Sequence, residues 1–223
     1  MSADPNTRVP AGAPGPVTAE DVVRAVELAV TALRTAPADA DWNAPAGPLE
    51  WTCWETGEHL ADDLFFYAAQ IGSLRPLADD YVRWGYSRRR AEGPANTITV
   101  ELDAGPSAML GALESGGGIL AAVVRATPPS ARGFHVFGAS DPEGFAAMGV
   151  VETLVHAHDL ALGLGIAFEA PADLCARTLQ RLFPDVPGDT DPWATLLWAT
   201  GRGELEGRER RGKWRWYGAP GAT

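Results

Sequence analysis

Apolar residues recur at helical three- and four-residue spacing in four long stretches of the chain, and two shorter ones follow. The first stretch, VVRAVELAVTALRT, begins after Thr18, a residue type that caps helix N-termini. Glu20 and Asp21 then suit the positive end of the helix dipole. It is expected to stop near Thr35, ahead of Ala36-Pro37. Thr52-Cys53-Trp54-Glu55 has the T-x-x-E form of a capping box and opens a second helix to about residue 74. Polar and apolar positions mix more in this helix than in the first. Residues 76–105 lose the helical period: VRWGYSRRR and NTITVEL are rich in β-branched and aromatic residues, are separated by EGPA, and predict a small β-hairpin or an extended excursion. A third helix is expected over 106–126, with Pro106 at its first position and Gly116-Gly117-Gly118 bending or breaking it. Asp141-Pro142-Glu143 opens the fourth helix, which ends near Gly163 or Gly165. Pro171 and Asp191-Pro192 start two short helices, and the KWRWY tail reads as a small strand or an aromatic packing segment.

These elements predict a mainly α fold. Residues 17–166 form a four-helix bundle, 167–223 a small, partly helical C-terminal segment packed on it, and 1–16 a flexible Pro/Gly/Ala-rich arm. A length of 223 residues suits one domain, or one domain with an appendage, and is long enough to bury a core without staples. The net charge of −11 argues against a nucleic-acid interface, which needs Lys and Arg to neutralise phosphates, and against docking on anionic lipid. The N-terminal stretch has no apolar segment of the secretory kind, and no uninterrupted apolar run of membrane-spanning length is evident. Two isolated cysteines, Cys53 and Cys175, fit a reduced, cytoplasmic setting.

The chemistry concentrates in ETLVHAHDLALGLG, residues 152–165. Glu152 and His156 are four apart on a helix and project from one face. A carboxylate and an imidazole so placed can share one metal ion, with zinc suited to N and O ligands. His59, mid-helix in a different bundle element, is the natural third ligand. An ordinary surface i,i+4 contact satisfies the same spacing. The pattern is not HExxH, so the metalloprotease base is absent. His158 lies about 200° round the helix from His156 and reads as a surface or helix-end residue. His135 reads as a packed loop histidine. Asp159, three residues after His156, either orients it or faces solvent, and Asp62 and Asp63 stand in the same relation to His59. Trp51 and Trp54 read first as core or cap residues and second as pocket walls; Cys53 reads as a buried, inert thiol. Arg88-Arg89-Arg90 reads as a solvated loop, and SGGG lacks the surroundings of a phosphate cradle.

WTCWETGEHLADDL followed much later by VVETLVHAHDLALGLG resembles the DinB-like superfamily, within its mycothiol-dependent maleylpyruvate isomerase branch, over residues 18–165. The resemblance implies a four-helix bundle holding a divalent metal, usually zinc, through His59, Glu152 and His156. It also implies mycothiol as cosubstrate, a small electrophilic substrate and homodimerisation. The chemistry so implied is isomerisation by reversible thiol addition, or thiol transfer, by an isomerase or S-transferase. The isomerase's C-terminal domain helps complete its active site. Here about fifty residues follow the bundle, and the resemblance singles out none of Arg202, Arg208, Arg210, Arg211 or Arg215. The expected HxWD helix end is HAHD. A bundle that binds metal or a small ligand without turnover is the alternative. Metal-dependent hydrolysis, with Asp62, Asp63 or Asp159 as base, ranks third.

Overall fold

Each of the four long apolar stretches is a helix in the computed structural model, which describes residues 14–221. Positions 1–13 of the expected N-terminal arm lie outside the described residues. The helices are α1 (Ala19–Leu33), α2 (Cys53–Ile71), α3 (Gly105–Ala126) and α4 (Pro142–Leu164), followed by the short α5 (Ala172–Leu182) and α6 (Pro192–Ala199). Their starts follow from capping chemistry. The Thr18 and Thr52 side chains accept from the N–H groups of Asp21 and Glu55, whose carboxylates bond back to the cap N–H groups. Asp141 and Asp191 cap α4 and α6, each with proline at the next position. The α4 helix ends at Gly165, where φ is 67°, a left-handed turn that glycine adopts without strain. The second helix stops at Ile71, a little before the expected end.

Both α1 and α2 pack against α3 and α4 and lie across the bundle diagonal from each other. Four neighbouring helices cover α4, so it is buried on nearly every side, and its sequence is apolar all round rather than on one stripe. The α5 helix packs on α4, and α6 packs on α5. The C-terminal KWRWY stretch forms no strand. Trp216 is buried, and the next two N–H groups, of Tyr217 and Gly218, donate to the carbonyls of Leu182 and Phe137.

The expected hairpin within 76–105 is reduced to one antiparallel bridge, Ser87–Asn96, and the described residues contain no strand. The physical reason lies on α2. Backbone donors that a partner strand would satisfy bond to α2 side chains instead. Asp62 Oδ1 accepts from Thr97 N (2.9 Å) and Ile98 N (2.7 Å), Glu58 Oε1 from Val100 N (2.8 Å), and Gln70 Oε1 from Val82 N (3.0 Å). The arginine run is exposed, as expected of a solvated loop, but it is also anchored. Arg89 clasps the buried Glu58 at 2.6 and 2.7 Å, and Arg90 clasps the buried Glu55 at 2.8 and 2.9 Å. The mixed polarity of α2 is thus a second packed face, built from carboxylates and an amide.

The three glycines do not break α3. Gly116 and Gly117 are buried at helix crossings: an added Cβ would lie 3.1 Å from the Leu64 side chain of α2 at the first and 2.6 Å from Val26 of α1 at the second. Gly118 faces open space. By length and composition, Leu102–Ala126 is apolar enough to cross a membrane, which reading the sequence for uninterrupted apolar runs missed. Its face from Met109 to Ala121 is buried against the other helices.

This difference predicts opposite outcomes for neighbouring substitutions. Gly117→Ala forces overlap with Val26 and is expected to lower unfolding free energy by about 1–3 kcal/mol. Gly118→Ala relieves a helical glycine at no steric cost and is expected to raise it by up to ~1 kcal/mol. Urea unfolding of both variants checks this; equal effects would mean that the α1–α3 contact is loose.

Candidate metal centre and its flanking cavities

The residues expected to act together come from α2 and α4, which pack on each other. Glu152 and His156 sit one turn apart on α4, with His156 Nε2 3.2 Å from Glu152 Oε2. His59, from α2, places its ring centroid 5.4 Å from that of His156. The structure therefore brings all three together. As the side chains stand, the donor atoms are paired with one another: His59 Nε2 is 3.3 Å from Asp63 Oδ2, and His156 Nε2 faces Glu152. Among the described residues, no three His, Cys, Asp or Glu side chains form a ready cage for a metal ion.

The surroundings fix both rings. His156 Nδ1 lies 3.1 Å from Asp159 Oδ2, which leaves Nε2 for the cluster. Asp159 is fully buried, and Arg202, from the segment after α6, meets its Oδ2 at 3.0 Å through Nη2. Asp159 thus takes the orienting role of its two sequence readings. The Trp51 ring stands edge-on to His59 at 4.8 Å between centroids, as a wall of the site, while Trp54 packs in the core against Trp42. His59 Nδ1 is buried without a hydrogen-bond partner; Asn96 lies beside it with its own Oδ1 unpaired.

Electrostatics divide the two imidazoles. Burial holds His59 down to about 4, so it is neutral near neutral pH. Burial also opposes charging of His156, but its hydrogen bonds to Asp159 and Glu152 outweigh this and raise it to about 9. Desolvation would raise the partly exposed Glu152, yet the His156 contact holds its carboxyl below the ordinary value. The two shifts favour a charged pair on α4, with 3.2 Å between His156 Nε2 and Glu152 Oε2. Asp63 goes the other way: burial and the nearby Glu152 charge push its carboxyl well up. Donors of this kind suit a divalent cation: two imidazoles and a carboxylate, with one imidazole braced through its other nitrogen and the other carrying a buried, unpaired one.

Two cavities of about 210 Å³ each flank His59. One is walled by Trp51, Glu152 and His156 and by Thr200, Arg202, Trp214 and Trp216 of the C-terminal segment. The other lies under the 76–105 excursion and is lined by Asp62, Asp63, Tyr67, Tyr81, Tyr86 and His135. Reading the sequence left Arg202 undistinguished among five arginines and missed Trp214, Trp216 and Tyr67 as site residues, because no local spacing ties them to the histidines. His158 is not a surface residue: it is half-buried, edge-on to Trp193 at 5.6 Å. His135 is packed as expected, its ring 5.5 Å from that of Trp216, and burial holds it down to about 4. Cys53 and Cys175 are fully buried, which pushes their thiols up to about 11 and about 12 and leaves them inert.

A scan against protein-family models gives no match to this chain. Searches of curated proteins and of solved structures return none either.

Removing Arg202 strands a fully buried carboxylate. Arg202→Ala is expected to cost about 3 kcal/mol of unfolding free energy, read by urea titration. A loss below ~1 kcal/mol would mean that the pair behaves as a solvated surface contact.

Proposed function

We propose that this chain is a DinB-like helical bundle of the mycothiol-dependent maleylpyruvate isomerase branch, holding a divalent ion, zinc first, through His59, Glu152 and His156. One observation carries the reading: residues far apart in sequence meet in one cluster beside a cavity, with one histidine braced by Asp159. A bound divalent ion in such a site stabilises a thiolate near neutral pH, the form of a thiol that attacks electrophiles. The chain's own residues do the rest. Asp159 fixes the His156 ring, Trp51 and Trp214 wall the cavity, and Arg202 offers guanidinium N–H groups on the side where a small electrophile would sit. The reaction class is thiol addition or thiol transfer.

A second reading, a bundle that binds a metal or small ligand without turnover, is favoured by the size of the cavity. At about 210 Å³ it is below the roughly 300–1,000 Å³ usual for drug-sized ligands, and a thiol sugar is of that size.

Metal analysis tests the site and separates the readings. Wild-type protein exposed to zinc and then desalted is expected to retain ~1 equivalent. His156→Ala and His59→Ala, each checked for native helix content, are expected to retain none. Full retention in both variants overturns the assignment. With cobalt in place of zinc, a sulfur-to-metal charge-transfer band on adding mycothiol supports the thiol-using enzyme; its absence from cobalt-loaded protein supports the second reading.

A further inference from the structure

The two imidazoles of the cluster are not supported alike. His156 Nδ1 is met by Asp159 Oδ2 at 3.1 Å, whereas His59 Nδ1 is buried and meets no partner. Among the described residues six buried side-chain nitrogens and oxygens lack a hydrogen bond, and Asn96 Oδ1 is the one of them that can only accept. It belongs to the residue beside His59. Burial holds His59 down, and the Asn96 contact works against it, as an acceptor facing a ring N–H does. An unpaired ring nitrogen and an unpaired amide oxygen therefore lie next to each other in the interior, where each alone is unfavourable.

The backbone holds Asn96 in that place. Its N–H donates to the Ser87 carbonyl at 2.9 Å, and its own carbonyl accepts from Ser87 N at 3.0 Å. The next two N–H groups, of Thr97 and Ile98, end on Asp62 Oδ1, three residues on from His59 in α2. Asn96 itself is 3% exposed. The excursion is thus pinned to the helix that carries His59, at the level of its ring. A metal ion bound through Nε2 leaves the ring proton on Nδ1, and that N–H then needs an acceptor. Without one the ring turns easily, because the last torsion of a histidine has broad minima.

We propose that Asn96 is a positioning residue of the metal centre: its Oδ1 accepts from His59 Nδ1–H and keeps Nε2 directed at the ion, as Asp159 does for His156. The inference rests on the metal reading above and gives the 76–105 excursion a part in the site. The two braces differ in kind. An amide oxygen carries no charge, so it orients His59 without the gain in basicity that the Asp159 carboxylate gives His156.

Asn96→Leu removes the acceptor at similar volume and leaves the backbone pairing with Ser87 in place; Asn96→Ala is the smaller alternative. Competition for zinc against a chromophoric chelator, with helix content native, is expected to show about 10–100-fold weaker binding than wild type. In isotope-labelled, zinc-loaded wild type, His59 and His156 are each expected to give a slowly exchanging Nδ1–H resonance. Asn96→Leu is expected to lose the His59 resonance and keep that of His156. Asn96→Asp, which keeps an acceptor oxygen, is expected to retain both. Wild-type zinc affinity in a folded variant lacking the acceptor overturns the proposal. So does a His59 resonance that persists there, or the loss of both resonances together. Wild-type protein that takes up zinc no more tightly than these variants fails this inference alone. Wild-type protein that takes up no zinc fails the metal reading, and this inference with it.

Discussion

Asp159 is the group on which the arrangement of this molecule turns. A carboxylate with no exposed surface is costly to bury unless it is met by donors, and here it is met from two sides. His156 reaches it from one turn back on the same helix, and Arg202 reaches it from the segment after α6. Burial alone would push the carboxyl up. The contacts with His156 and Arg202 outweigh this and hold it below the ordinary range. One side chain thereby sets the ring of a bundle histidine and anchors the C-terminal segment that walls the cavity. The short appendage is part of the site's construction and more than an extension of the bundle.

The same logic, with different partners, holds the excursion between α2 and α3. Glu55, Glu58 and Asp62 recur at helical spacing along α2 and are nearly as buried as core leucines. They bind backbone N–H groups and guanidinium groups that cross over them. An irregular segment without a sheet partner can then lie flat on a helix without orphaned polar groups. Asp62 holds both donors through one oxygen, at the cost of a carboxyl that burial pushes up.

Much of the fold could be read locally. Cap residues Thr18, Thr52, Asp141 and Asp191 set the helix starts, and a cap needs only three or four neighbouring residues to act. The Glu152–His156 spacing was equally legible, since it depends on one helix. The meeting with His59 depended on how α2 packs on α4 and entered through the position of His59 in another helix. The anchors of the arginine run, the glycine run and the tail were missed, misread or left open for one reason. Their roles are set by what lies across from them: Glu58 for Arg89, Val26 for Gly117, the carbonyls of Leu182 and Phe137 for the backbone beside Trp216. None of these partners is within reach of a local pattern. The hairpin failed on the same ground, because strand-like composition does not reveal that the donors are claimed by a helix.

The C-terminal wall has a consequence in time. A chain leaves the ribosome N-terminus first, and a domain generally folds as a unit. His59, Glu152 and His156 are all synthesised before Arg202, Trp214 and Trp216. Until the last segment docks, the cavity lacks the part of its wall that Arg202, Trp214 and Trp216 supply. The site is therefore complete only after nearly the whole chain has been made.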